Sequence, residues 1–366
     1  MRPKILVILG TRPEAVKLAP LILGLQETNW ETIVIATGQH QAILHQTLGW
    51  FGITPAEDLQ IMTPKQTLAE ITCRCLTRLE ERLAYHRPDL VIVQGDTTTT
   101  FAAGLAAFYA RIPVGHVEAG LRTALADNPF PEEMNRRLTS QLARLHFAPT
   151  ALAVQNLAED GITEGVYLTG NTVIDALQAI AGQCAPPELP GVDWQQRVLL
   201  ATVHRRENWG EPLVQIAQAF HELLDRFPDT CLVLPLHPNP TVREPLREIL
   251  GRHPRAFLVE PLDYPQLVGV LKQCTLVLSD SGGIQEEAPA LGKPVLVLRE
   301  TTERPEAITG GVAQLVGTNT EQIVETASTL LTDPAAYTAM AQAINPFGDG
   351  QATGRIIQAV AGFFKS

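Results

Sequence analysis

The sequence is short of several features that would place it at once. No run of apolar residues is long enough to cross a bilayer, and the opening MRPKILVILGTRPE offers only five, Ile5 to Leu9, before Gly10-Thr11-Arg12-Pro13. That is too short for a secretory leader, so a soluble, cytoplasmic protein with no membrane partner is expected. Positive charge is scarce as well: 28 Lys and Arg stand against 39 Asp and Glu, a formal net charge of −11. A general nucleic-acid binder would carry a basic face, so that class loses support. An anionic small ligand does not, because a few local arginines outweigh a distant negative surface.

The five cysteines, Cys73, Cys75, Cys184, Cys231 and Cys274, are odd in number and lack metal-type spacing. Cys73 and Cys75 stand two apart in an expected helix and so point in different directions. All five are read as reduced thiols, and no metal site is expected. Also missing are the dinucleotide fingerprint G-x-G-x-x-G and the phosphate loop G-x-x-x-x-G-K-[ST]. Nicotinamide and ATP chemistry therefore lose support.

What is present is alternation. A chain of 366 residues with 45% hydrophobic content can bury more than one core, and two domains are expected. Short apolar segments at 4–9, 32–37, 89–94, 114–117, 145–148 and 166–169 alternate with longer amphipathic stretches. The pattern breaks at "APPELPGVDW" (185–194), with three prolines and a glycine, and restarts at 197–203, 231–236, 256–260, 275–279 and 294–299. Strand–helix alternation of this kind implies α/β domains with parallel, doubly wound sheets. The expected divisions are an N-terminal Rossmann-like domain, 1–183, a second one, 194–345, and a final segment, 346–366, whose helix covers Ile356 to Phe364.

Polar residues gather where these strands end. "QGDTTTT" places Asp96 at the end of an apolar strand, and Thr97 to Thr100 either extend the sheet or open the next helix. The second reading puts a carboxylate at the carboxyl edge of a strand, where α/β proteins bind ligands. "GTRPEAVK" sets Arg12 and Lys17 near a helix N-terminus, an arrangement suited to an anion. "HVEAGLRT" puts Glu118 directly after a strand, "NPFPEEMNRRL" puts Glu132 and Glu133 in a first helical turn, and "TVHRRENWG" ends a strand near His204 and Arg205. In "DSGGIQEEAPALGKP", Ser281, Gly282 and Gly283 allow close backbone approach to a ligand, and Glu286 and Glu287 are expected in the first turn of the helix that follows. Taken singly, each has a bland reading as a helix cap or a polar loop. "HELLD" (221–225) lacks the second histidine of a zinc helix and reads as helix surface.

Taken in order, "GTRPEAVKLAP", "QGDTTTT", "HVEAGLRT", "PFPEEMNRRL", "TVHRRENWG" and "DSGGIQEEAPALGKPVLVLRETTERPEA" resemble the non-hydrolysing UDP-N-acetylglucosamine 2-epimerases from end to end. The resemblance implies a GT-B fold, two Rossmann-like domains facing across a cleft, with the last helix returning to the first domain. It implies reversible epimerisation of UDP-N-acetylglucosamine to UDP-N-acetylmannosamine: UDP is eliminated to leave a 2-acetamidoglucal, then adds back. No cofactor is required, and a homodimer is implied. By matching motif, Asp96, Glu118, Glu132 and His204 form the catalytic group. Arg12, Lys17, Leu267, Ser281, Gly282, Gly283, Glu287 and Arg304 bind the UDP-sugar, with Glu287 toward the ribose, Arg304 near the pyrophosphate and Leu267 against the uracil. A second UDP-N-acetylglucosamine, bound as activator, would use Gln39, Ala42, Lys65, Gln66, Glu132, Arg205 and His237. Ala42 and Lys65 depart from that pattern, since lysine keeps the charge of an arginine but loses its fork. A hydrolysing epimerase and a GT-B glycosyltransferase are the competing enzymes; a nucleotide-sugar sensor is the non-enzymatic alternative.

Overall fold

A computed structural model of the chain describes residues 2–38, 41–63, 65–123, 125–127 and 129–365. These divide into two compact units, Met1–Ala179 with Phe347–Ser366, and Ile180–Pro346.

In the first unit, β1 (Lys4–Leu9), α1 (Arg12–Gln26), β2 (Glu31–Ala36), α2 (Gln41–Trp50), β3 (Glu57–Asp58), α3 (Leu68–His86) and β4 (Leu90–Gln94) lead into α4 (Thr98–Tyr109). There follow β5 (Val114–Val117), α5 (Glu132–Leu142), β6 (Leu145–Ala148), α6 (Ala151–Glu159), β7 (Val166–Leu168) and α7 (Thr172–Ala181). The strands form a parallel sheet in the order β3-β2-β1-β4-β5-β6-β7. Its central strands are buried along their length, as a sheet with helices on both faces requires. Ile5, Val7 and Leu9 pack to one side with Leu18, Leu21 and Ile22 of α1, while Leu6 and Ile8 pack to the other with Ala102 and Ala103 of α4. Each such aliphatic side chain contributes roughly 1.5–3 kcal/mol on burial.

The second unit repeats the scheme: β8 (Arg197–Thr202), α8 (Glu211–Arg226), β9 (Thr230–Pro235), α9 (Pro240–Leu250), β10 (Ala256–Val259), α10 (Tyr264–Gln273), β11 (Leu276–Ser279), α11 (Gly282–Ala290), β12 (Val295–Val297), α12 (Pro305–Thr309), β13 (Ala313–Leu315), α13 (Thr320–Thr332) and α14 (Pro334–Ala341). Its sheet runs β10-β9-β8-β11-β12-β13, again parallel. The chain then returns to the first unit. Asp175 accepts hydrogen bonds from the amides of Ala352 and Thr353 at the start of α15 (Ala352–Phe363), and Ile356 and Val360 join the core beside α1. Phe364 packs edge-on against Trp30, centroids 5.4 Å apart.

Strand order reverses direction between β1 and β4 in one unit and between β8 and β11 in the other. Such switch points open a crevice at the carboxyl ends of the strands. The segments that leave these four strands are "GTR", "GDT", "VHR" and "DSGG".

Two expectations need correction, and two short strands were not foreseen. Glu286 and Glu287 are not in the first turn of their helix: α11 begins at Gly282, so they are its fifth and sixth residues, and both are buried. The short strands β3 and β13 carry too few residues to show a period in the sequence. The last helix starts four residues earlier than Ile356, at Ala352.

Candidate active site

The Asp96 turn forms because Gly95 adopts φ +75°, a left-handed conformation that glycine takes without strain. The helix after it is α4, with Thr97 as its cap: the Thr97 hydroxyl accepts from the Thr100 amide at 3.1 Å. The threonines thus open a helix, and two of them also serve α1. Glu14, 1% exposed, lies within hydrogen-bond distance of the Thr97 and Thr100 hydroxyls at 2.8 and 3.0 Å, and its other oxygen accepts from the amides of Gly10 and Thr11. Burial pushes the Glu14 carboxyl above its ordinary range, although these hydrogen bonds pull it down. A Cβ at Gly10 would lie 2.4 Å from the Thr99 hydroxyl, so only glycine allows β1 to end this close to α4.

Asp96 is one quarter exposed, and its Oδ2 lies 2.7 Å from Nη2 of Arg136 on α5. Its Oδ1 makes no hydrogen bond among the described residues. Burial raises the Asp96 carboxyl above its usual range; Arg136 and Lys17 work against that rise, and Glu118 and Glu132 add to it. Glu118 follows β5 in a left-handed conformation, φ +64°, which is rare for a residue with a side chain and costs backbone strain. The side chain this strain aims is held by three donors: Lys17 Nζ and Asn171 Nδ2 on Oε1, and Gln94 Nε2 on Oε2. Glu132 is the first residue of α5, half-buried, close enough to bear on Asp96. Its neighbour Glu133 is fully buried and paired with Arg136 and Arg137, a structural role. Arg12 lies over the Trp50 ring, 5.7 Å from its centroid. The first unit therefore brings Lys17, Asp96, Glu118 and Glu132 to one switch point. Of the other expected residues here, Ala42 and Lys65 are exposed on α2 and before α3, and Gln66 is engaged by the Thr63 amide and the Ile61 carbonyl. Gln39 lies outside the described residues.

In the second unit the organising group is one that sequence reasoning missed. Asp280, fully buried, accepts from the backbone amides of His204 and Arg205 and from Asn208 Nδ2 at 2.9–3.1 Å, and its Oδ1 is 3.1 Å from His204 Nδ1. Burial alone would raise this carboxyl; the contacts with His204 and the amides outweigh it and hold Asp280 below the usual range. An ionised acceptor fixes the hydrogen on Nδ1 and leaves His204 Nε2 as the nitrogen that can accept from a ligand. The His237 ring stacks on His204, centroids 6.2 Å apart and planes 18° apart. Ser281 stands at the N-cap position of α11 without a side-chain capping bond, the first residues of the helix are Gly282 and Gly283, and a Cβ at Gly283 would meet nothing within 4 Å. Packing does not demand that glycine, and the helix N-terminus stays accessible to an anion.

Glu287 accepts from the Tyr264 hydroxyl at 2.9 Å, and Leu267 lies half-buried on the same helix as Tyr264. Arg304 is ion-paired with the buried Glu286, so the charge it offers a ligand is partly neutralised. Arg205 reaches the Asp280 carbonyl and approaches Glu303, 3.9 Å away. Gln94, Arg136, Asn171, Asn208, Tyr264 and Asp280 are members of these two groups that the motifs did not single out. Arg136 alone had a signal, an arginine four residues after Glu132 on one helix face.

Among the described residues no cluster of three or more His, Cys, Asp or Glu has metal-holding geometry, and no helix is long and apolar enough to cross a membrane.

Comparison with known proteins shows the family of the chain. A family model described as UDP-N-acetylglucosamine 2-epimerase matches residues 24–361. The chain is 49% identical to the UDP-N-acetylglucosamine 2-epimerase of Escherichia coli (strain K12), an alignment covering 98% of each protein. The crystal structure of the UDP-GlcNAc 2-epimerase of Neisseria meningitidis bound to UDP-GlcNAc aligns with 98% of this chain and 100% of that one, at TM-score 0.88 and 46% identity. A glycosyltransferase from Streptomyces nogalater, only 17% identical, aligns with 100% of this chain and 99% of its own at TM-score 0.65, a likeness of fold alone that fits the GT-B class.

Proposed function

The chain belongs to the UDP-N-acetylglucosamine 2-epimerase family, and on that premise we propose that it interconverts UDP-N-acetylglucosamine and UDP-N-acetylmannosamine by elimination and re-addition of UDP. The observation that carries the reading is Asp96: a carboxyl raised by burial, steadied on one oxygen by Arg136, with two further acids at the same switch point.

Carbon 2 of the sugar has no adjacent carbonyl, so simple removal and return of its proton is too costly. Elimination avoids the problem. A carboxylate takes the C2 proton, the C1–O bond breaks with its electron pair going to the phosphate oxygen of UDP, and a C1–C2 double bond forms. In the return step UDP oxygen attacks C1 while an acid delivers a proton to the other face of C2. One face needs a base and the opposite face an acid, and their roles exchange when the reaction reverses.

Asp96 suits one of these roles because its Oδ1 is uncommitted and its raised range keeps it close to exchangeable. Glu118, immobilised by Lys17, Gln94 and Asn171, suits orientation and charge balance, and the half-exposed Glu132 suits the opposite proton transfer. In the second unit the α11 N-terminus with Ser281, Gly282 and Gly283 receives the diphosphate. His204, oriented by Asp280, supports the developing charge on the leaving oxygen. Glu287, set by Tyr264, accepts from the ribose. Homodimer formation and activation by a second UDP-N-acetylglucosamine belong to the same reading. A single sedimenting species of monomer mass would remove the first, and a reverse rate indifferent to added UDP-N-acetylglucosamine the second.

The test is to incubate the protein with UDP-N-acetylglucosamine alone in heavy water and follow the sugar by NMR. UDP-N-acetylmannosamine carrying deuterium at C2 is expected. Free N-acetylmannosamine with stoichiometric UDP would instead make it a hydrolysing epimerase, and binding without C2 exchange would remove the elimination mechanism.

A further inference from the structure

Gln94, Gly95 and Asp96 are consecutive, and the carbonyl oxygen of each accepts a hydrogen bond from a side chain of a different element. Thr100 Oγ1 of α4 reaches the Gln94 carbonyl at 2.6 Å. His116 Nε2 of β5 reaches that of Gly95 at 2.7 Å, and Asn135 Nδ2 of α5 reaches that of Asp96 at 2.9 Å. All three donors are buried, at 1%, 0% and 7% exposure. A carbonyl can only accept, so the His116 ring carries its hydrogen on Nε2. Burial holds this ring down to about 4, so it stays neutral at physiological pH, and its buried Nδ1 has no hydrogen-bond partner among the described residues.

Two of these donors stand on elements that carry or directly precede the other acids. His116 is two residues before Glu118, and Asn135 is three residues after Glu132. Each side chain therefore fixes a distance between the Asp96 backbone and one other carboxylate. Asn135 is also next to Arg136, so α5 grips Asp96 at its carbonyl and at its carboxylate. Peptide planes fixed on both sides of Asp96 leave only its two side-chain torsions free, and Arg136 restrains those.

We propose that His116 and Asn135, with Thr100, are positioning residues that set the spacing of Asp96 from Glu118 and Glu132. This rests on the epimerase reading above. A core histidine that merely filled space would not need to reach this carbonyl, and a packing asparagine would not need to choose the residue whose carboxylate its neighbour holds.

The variants are Asn135→Leu, which keeps volume without a donor, Thr100→Val, which keeps shape without the hydroxyl, and His116→Leu beside His116→Gln. Gln can place an amide nitrogen near the position of Nε2. Thr139→Val on α5 is the control, because its buried hydroxyl has no partner among the described residues. For each, kcat, KM, UDP affinity, melting temperature and the pH profile of kcat/KM are measured. A displacement of about 1 Å between reacting groups costs about a hundredfold, so kcat should fall by about that factor in Asn135→Leu and His116→Leu. UDP affinity should stay level, the acid limb of kcat/KM should move, and His116→Gln should recover much of the rate. Thr100→Val covers the case in which a less conservative variant fails to fold. Folded Asn135→Leu or Thr100→Val with wild-type kcat would overturn the proposal, as would His116→Gln no better than His116→Leu. A wild-type protein inert toward UDP-N-acetylglucosamine would overturn the epimerase reading and this role together; an active wild type with unimpaired variants would overturn this role alone.

Discussion

Arg136 holds Oδ2 of Asp96 at 2.7 Å, in a place where burial works against the charge of that carboxylate. The two effects oppose each other and burial wins, so the carboxyl titrates above the ordinary aspartate value of about 3.9. The acid limb of kcat/KM should therefore lie above that value. Arg136→Gln removes the opposing cation and should move the limb further toward neutral pH, with lower kcat at every pH below it. Rate profiles of the two proteins from pH 4 to 8 check this, and a limb that stays in place would separate Asp96 from the observed titration.

Asp96→Asn keeps the shape of the side chain and removes its capacity to exchange a proton. General acid–base groups contribute about a hundredfold to ten-thousandfold, and kcat should drop within that range. UDP binding, assigned chiefly to groups of the second unit, should survive. Loss of C2 deuterium incorporation in step with loss of turnover would identify Asp96 with proton transfer at that carbon.

The fold was largely legible because both sheets are built from buried strands with strong apolar runs, separated by helices of ordinary length. What stayed hidden is physically different in kind. Asp280 stands in a motif chosen for its glycines, and nothing in the local pattern distinguishes a buried carboxylate that orients His204 from a polar residue before a turn. Glu286 and Glu287 were placed one turn too early because a Gly-Gly pair reads as loop, whereas here it is helical from its first glycine. Tyr264 and Asn171 meet their carboxylate partners from 23 and 53 residues away, which only the tertiary fold can arrange.

Lys17 and Glu118 are ion-paired with side-chain exposures of 15% and 6%. Removing one partner of a buried pair leaves an uncompensated charge and costs about 3–5 kcal/mol. Lys17→Met should therefore lower stability by that order in urea unfolding. The double variant Lys17→Met/Glu118→Leu should recover part of the loss while remaining inactive, which would separate the structural from the catalytic contribution of the pair.

Tyr264→Phe deletes the hydroxyl that donates to Glu287 at 2.9 Å without changing packing volume. A less oriented Glu287 should weaken ground-state binding: a hydrogen bond to a charged group is worth about 1.5–3 kcal/mol, or roughly tenfold to a hundredfold. KM and UDP affinity should bear the loss and kcat very little. A fall in kcat at constant KM would move Glu287 from binding into the chemistry.

Asp280→Asn tests the centre of the second unit. The amide can accept through one oxygen only, and its NH2 must face a donor where the carboxylate accepted from His204, Arg205 and Asn208. Loss of one charge-assisted bond, about 1.5–3 kcal/mol, should appear both as lower stability at pH 7 and as about a tenfold to hundredfold fall in kcat through misorientation of His204. The pH dependence has a definite sign. Asp280 titrates lower in the folded chain than in the unfolded one, so its contribution is fully present above the unfolded value near 3.9 and disappears as the pH falls through the folded value. The asparagine variant has no such group. Its stability deficit relative to the wild type should therefore be largest near neutrality and shrink on acidification, as urea midpoints at pH 7 and below pH 4 would measure. A deficit equally large at both would mean that Asp280 acts through shape and not through its charge.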